Sequence, residues 1–191
     1  MSLDTRTILI ETAIDFARLR GYTAFSYADI AEAVGIRKPS IHHHFPSKED
    51  LGVAIVEAYM AEFARRLSGI TVEMTDPLLR LEAYAGLYRE ALKAGRGCLC
   101  GVLASEIAAL PPRVQLAVRQ FLALHLDWLE RTLAEDGGFG RLRHDIVPAR
   151  DAGTVLATLQ GALSMSLALR QPRNFEHAVG GLLAGLAHHS Q

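Results

Sequence analysis

The stretch Ser26–Phe45 (SYADIAEAVGIRKPSIHHHF) constrains this chain more than any other, because it encodes two short helices and an abrupt turn between them. Ser26 and Asp29 have the spacing of a capping box, and Ile30, Ala33 and Val34 then recur on one helical stripe. Gly35 follows the last apolar position, where a left-handed residue ends a helix at least cost. Arg37, Lys38 and Pro39 open the second helix, and proline is harmless in a first turn whose amides have no intrahelical acceptor. Ile36, Ile41 and Phe45 anchor one side of that helix, while Lys38, Ser40, His42, His43 and His44 occupy the other. A compact helix-turn-helix that exposes cations and hydrogen-bonding groups on its second helix suits the major groove of DNA.

The run Ala28–Ile36, followed by Ile41–Leu51, resembles the amino-terminal domain of the tetracycline-repressor (TetR/AcrR) family of one-component bacterial regulators. The likeness extends upstream through Arg6, Leu9, Ile10, Ala13, Gly21 and Tyr22. Beyond Leu51 it is one of length and helical layout. The resemblance implies an all-α chain of about nine helices. A three-helix DNA-binding domain over residues 1–47 would join a helical effector-binding and dimerisation domain over 48–191. It further implies a cytoplasmic homodimeric repressor, released from a pseudo-palindromic operator by a small apolar or amphipathic effector. On this pattern Arg37, Lys38, Ser40 and His43 are expected at base edges. Arg6, His42, His44 and Lys48 are expected at phosphates, and Ser26, Tyr27 and Pro39 complete the surface. His42 stands where the family usually has a tyrosine.

Composition permits this reading without demanding it. The net charge is −1, and the first 52 residues carry six Lys and Arg against seven Asp and Glu, so DNA affinity has to come from local placement of charge. Half the residues are hydrophobic, which excludes a disordered chain. Only two cysteines are present, no signal precedes the first helix, and no apolar run is expected to span a bilayer.

Taken in order, Thr5–Arg20 is an amphipathic helix ended by Gly21. Ser47 with Asp50 repeats the capping-box spacing, and a long helix follows from Lys48 to about Ser68. Gly69–Asp76 reads as a loop, with Asp76 capping a helix that runs from Leu78 to Ala94. Leu99–Leu110 and Arg113–Glu135 are the next two helices, and Gly137-Gly138-Phe139-Gly140 interrupts. The last two, Ala149–Arg170 and Phe175–His188, are apolar on more than one side and laced with glycine, which points to a second copy as partner, with completion of the protomer's own core as the alternative. Val155, Leu159, Ala162, Leu163, Val179, Leu182, Leu183 and Leu186 are the expected interface.

No pattern of enzyme chemistry appears: there is no nucleophile elbow, phosphate loop, dinucleotide fingerprint or zinc-protease motif. His42, His43 and His44 diverge by ~100° per residue on a helix and cannot converge on one metal ion. An imidazole can instead donate to a phosphate or to guanine N7. By resemblance, Tyr59, Phe63, Tyr84, Tyr88, Cys100, Leu103, Phe121, His125 and Trp128 line an effector pocket; for such residues a plain core is the alternative. Cys98 and Cys100 read as small buried apolar residues, with thiol-based sensing of electrophiles or oxidants as the sharper possibility. A helical enzyme or ligand carrier is a further alternative; no cofactor is expected.

Overall fold

The computed structural model describes residues 4–135 and 140–188. Among these there are nine α-helices, one short 3₁₀ turn and no strand. The helices are α1 (Thr5–Arg20), α2 (Tyr27–Val34), α3 (Lys38–His44), α4 (Lys48–Glu73), α5 (Pro77–Lys93), α6 (Leu99–Ser105), α7 (Pro112–Ala134), α8 (Pro148–Leu169) and α9 (Arg173–Leu186). The expected interruption at Gly137–Phe139 lies outside the described residues.

The local signals act as their chemistry dictates. Ser26 Oγ accepts from the Ala28 and Asp29 amides, and Asp29 accepts in return from the Ser26 amide at 2.7 Å. Gly35 takes φ 75° and ψ 32°, and its amide and that of Ile36 both return to the Ala31 carbonyl. Ser47 and Asp50 cap α4 reciprocally, and Asp76 accepts from the Leu78 and Leu79 amides at the start of α5.

Two expectations change. α4 runs on through Gly69 to Glu73, because Leu67 and Ile70 stay buried and outweigh the ~1 kcal/mol cost of a helical glycine. The expected helix to Leu110 instead stops at Ser105 and passes into the 3₁₀ turn Ile107–Ala109.

The described residues pack into two compact units, which group the helix-turn-helix with more of the chain than residues 1–47. The first holds the chain up to Glu62 together with Leu99–Phe121; the second holds Phe63–Cys98 and the chain from Leu122 onward. In the first unit Leu9, Ile30, Ile41, Leu51, Ile55, Leu99, Leu103 and Phe121 are fully buried. Tyr22 knits them to the polar framework. Its amide donates to Glu106 Oε2 at 2.9 Å, its hydroxyl donates to the Lys48 carbonyl at 2.7 Å, and Gly52 leaves room for its ring.

In the second unit α8 packs on α9 and α5, and α5 packs on α9. Arg89 on α5 clamps Glu176 on α9 with two hydrogen bonds of 2.8 and 2.9 Å. Asp151 organises the entry to α8, accepting from the Val147 amide at 2.8 Å and from Arg143 and Arg150. Burial pushes its carboxyl up, but those hydrogen bonds and charges together outweigh burial and hold it below the usual carboxylate range. By length and composition α8 is apolar enough to cross a bilayer, contrary to the expectation from sequence, since the 18 residues after Asp151 carry no charge. Part of that apolar surface is spent on α5 and α9.

Glu106→Ala leaves the Tyr22 amide without its acceptor, and is expected to lower unfolding stability by about 1–3 kcal/mol in urea titrations; Glu106→Gln, which keeps a carbonyl there, should cost less.

Candidate functional site

α3 is held by its inner side. Ile41 is fully buried and Phe45 nearly so, and this turns Arg37, Lys38, Pro39, Ser40, His42 and His43 to the surface. Arg37 is the N-cap residue and Lys38 opens the first turn, so two cations stand at the positive end of the helix, where a phosphate is already favoured. Thr5 at the start of α1 lines a shallow concavity with Ile36, Pro39, Ser40, His43 and the half-buried His44. Arg6 is exposed next to it, its guanidinium 5.1 Å from the centre of the Phe45 ring. Arg6, Arg37, Lys38, Ser40, His42 and His43 are all exposed, so polar and cationic groups dominate this side of the helix-turn-helix.

Ser26 and Tyr27 have structural duties there. Ser26 is the α2 cap, and the Tyr27 hydroxyl lies 2.9 Å from the Phe45 carbonyl and 2.6 Å from that of Ser47. Burial, with the nearby Asp50 charge, pushes the Tyr27 phenol up to about 12, so it stays a neutral donor. The His42 ring packs edge-on against Tyr27, and its Nδ1 lies 3.3 Å from the Pro46 carbonyl. A carbonyl accepts only from a protonated nitrogen, so this contact assigns the Nδ1 proton and leaves Nε2 at the exposed edge of the ring.

Lys48 departs from its expected place. Its ammonium turns inward, donating to the Phe25 carbonyl above the rings of Tyr22 and Phe25, at 4.6 and 4.5 Å from their centroids. Burial lowers its pKa, with Glu106 and Asp29 opposing. Such an ammonium is committed to the fold.

The nine expected pocket residues divide between the two units. In the first, Cys100, Leu103 and Phe121 are buried, and Tyr59 stacks on Phe121 with ring centroids 5.6 Å apart. In the second, Phe63, Tyr84, Tyr88, His125 and Trp128 form a buried aromatic cluster. The Tyr84 hydroxyl lies 2.6 Å from His125 Nδ1 and 3.0 Å from the Tyr88 hydroxyl. Burial raises the Tyr84 phenol and pushes the His125 imidazole down to about 4, so both are neutral. Trp128 also lines a cleft of about 320 Å³ in this unit, with Leu67, Thr71, Arg80, Leu124 and Glu135 among its walls. Sequence reasoning passed over Arg80 and Glu135, 55 positions apart and without a motif, just as it found no partner for Glu106.

Cys98 and Cys100 are both buried thiols not joined in a disulfide, and Cys98 Sγ accepts from Gln160 Nε2 at 3.4 Å. Among the described residues no group of three or more His, Cys, Asp or Glu is placed to hold a metal ion. Of the expected dimer residues, Val155, Leu159, Leu163, Val179 and Leu186 are buried within the protomer, and Ala162, Leu182 and Leu183 are half-buried. The outward stripes are Ala157, Gly161, Met165 and Ala168 on α8, and Gly180, Gly181, Ala184 and Gly185 on α9.

Comparison with known proteins agrees with this geometry. Residues 9–55 match the model of bacterial regulatory proteins of the tetR family, and residues 77–182 match the tetracyclin repressor-like C-terminal domain. The chain belongs to the tetracycline-repressor family. A TetR-family regulator from Agrobacterium tumefaciens superposes with a TM-score of 0.92 at 34% identity, over 96% of this chain and 97% of that one. The transcriptional repressor DhaR of Mycobacterium sp. is 27% identical over 90% of this chain and 85% of its own length. The transcriptional regulator AcuR of Cereibacter sphaeroides is 32% identical over 65% of this chain and 57% of its own. The tetracycline-repressor family consists of DNA-binding transcriptional regulators, not enzymes, and its fold is the all-helical one described above.

His125 is expected to make this family member's stability fall in acid over a defined window. Its folded pKa lies below the unfolded value of ~6.5, so its contribution is complete above that value and is lost as pH falls toward 4; a shift of this size corresponds to roughly 3 kcal/mol. Urea unfolding at pH 7 and pH 4.5 should show a smaller pH difference for His125→Gln than for the native chain.

Proposed function

We propose that this chain is a homodimeric repressor that reads a pseudo-palindromic operator through α3 and releases it when a small amphipathic effector enters the second unit. The observation that carries the DNA half is the split character of α3: Ile41 is fully buried while Arg37, Lys38, Ser40 and His43 are exposed. In this reading residues 1–47 read DNA, with those four side chains at base edges, and 48–191 bind effector and partner. Arg6 and the exposed edges of His42 and His44 set the phosphates, and the inward Lys48 supports α4 instead of touching DNA. The protein acts in the cytoplasm, where its operator is.

Two-fold symmetry places the two α3 helices ~34–36 Å apart, one turn of DNA. The outward glycine and alanine stripes of α8 and α9 support a partner there, since a Cβ added at Gly161, Gly180, Gly181 or Gly185 meets nothing within 4 Å in the protomer. α4 carries the chain from the first unit to the second, so an effector that shifts its later turns alters the α3 spacing in the dimer. Each tenfold preference of the effector for the released conformation supplies about 1.4 kcal/mol.

Salt titrations of duplex binding separate the proposed roles. Arg6→Ala should weaken binding and flatten the slope of log K against log salt by about 0.9, the loss of one phosphate contact. Lys48→Ala should leave the slope unchanged; a flattening equal to that of Arg6→Ala would return Lys48 to the phosphate set. For the dimer, Gly161→Arg puts a long cation on the outward face of α8. It should sediment as a monomer with its helical circular dichroism intact, and an unchanged dimer would move the interface elsewhere.

A further inference from the structure

We infer that the cleft in the second unit takes a small amphipathic carboxylate, bound through the Arg80 guanidinium. This ligand is the effector proposed above, so the assignment rests on that reading. Its walls are apolar where α4 and α7 face each other, at Leu67, Leu124 and Trp128. The Trp128 indole N–H donates to Thr71 Oγ1 at 2.9 Å, so the polar edge of the ring is already satisfied and what it offers a ligand is apolar surface.

The polar end is a buried cation with a replaceable partner. Arg80 is only 8% exposed, and its Nε donates to the Met74 carbonyl at 2.7 Å and its Nη2 to the Thr71 carbonyl at 3.3 Å. Those two bonds fix the plane of the guanidinium. Its counterion is Glu135 at 2.9 Å, whose side chain is 60% exposed. A mostly hydrated carboxylate can swing into water at little cost, whereas Arg80 cannot leave and needs an opposite charge. The fold has already desolvated the cation, and among the described residues three of the five guanidinium N–H groups are engaged. An incoming carboxylate therefore exchanges with Glu135 at a site oriented in advance. Arg131 also lines the cleft, giving two cations against one anion, which disfavours amines. A volume of about 320 Å³ fits a ligand of a few to about ten heavy atoms beyond the carboxylate.

Trp128 is the only tryptophan in the chain, so its fluorescence reports this cleft directly. The full-length protein is titrated with straight-chain carboxylates from acetate to decanoate and with benzoate, each beside its primary amide. At least one acid should bind saturably and at least about tenfold more tightly than its amide. Glu135→Gln should tighten that binding severalfold by removing the competing anion, and Arg80→Gln should erase the difference between acid and amide. Glu135 is exposed, so its variant decides the matter even where Arg80→Gln fails to fold. No saturable binding across the panel, equal binding of acid and amide, or unchanged affinity in Glu135→Gln would each overturn the assignment. Operator affinity measured with the bound acid is a separate readout: binding without release supports the carboxylate site and overturns induction, while release by a neutral compound alone overturns the carboxylate site and leaves induction standing.

Discussion

Tyr22 is the residue on which the geometry of the DNA-reading unit depends. One side chain and its amide reach Glu106 after α6, the first carbonyl of α4, the Lys48 ammonium and the bare backbone of Gly52. The hydrogen bonds have fixed directions and the contact with Gly52 admits no Cβ, so the segment after α1 has one position available to it. Phe25 packs on Tyr22, and its carbonyl receives the Lys48 ammonium. From there α2 is set by its cap and α3 by Ile41 and Phe45. The exposed face of α3 is the far end of that sequence of constraints.

This explains how a chain of net charge −1 can be built to meet a polyanion. Cations are not abundant in the first unit, and one of them, Lys48, serves the interior. Of the others, Arg37 and Lys38 stand together at the start of α3, and Arg6 is exposed near the start of α1. The second unit handles charge differently. It buries Arg80 beside Glu135 and Asp151 beside Arg143 and Arg150, and keeps Tyr84 and His125 neutral by desolvation.

Much of the fold was legible because its signals are local. Ser26 with Asp29, Ser47 with Asp50, Asp76 before Pro77, and Gly35 each act within a few residues, and each forms the cap or turn its spacing implies. Gly69 misled because burial of Leu67 and Ile70 is a tertiary effect that a single glycine cannot override. Lys48 misled in the opposite way: its place in a first turn favours an anion, but the aromatic surface that captures its ammonium comes from residues 22 and 25. The Glu106–Tyr22 and Arg80–Glu135 pairs span 84 and 55 positions with no motif to join them. Helical periodicity marked which α8 and α9 residues are apolar, yet could not say which of two apolar sides the protomer keeps for itself.

Selection of bound sequences from a random duplex pool at physiological salt shows whether α3 reads sequence in two-fold symmetry. The expected result is a two-fold-symmetric motif with half-sites about one helical turn apart, bound ~10³-fold or more above scrambled DNA. No enriched motif from protein shown to be folded and free of bound ligand would contradict it.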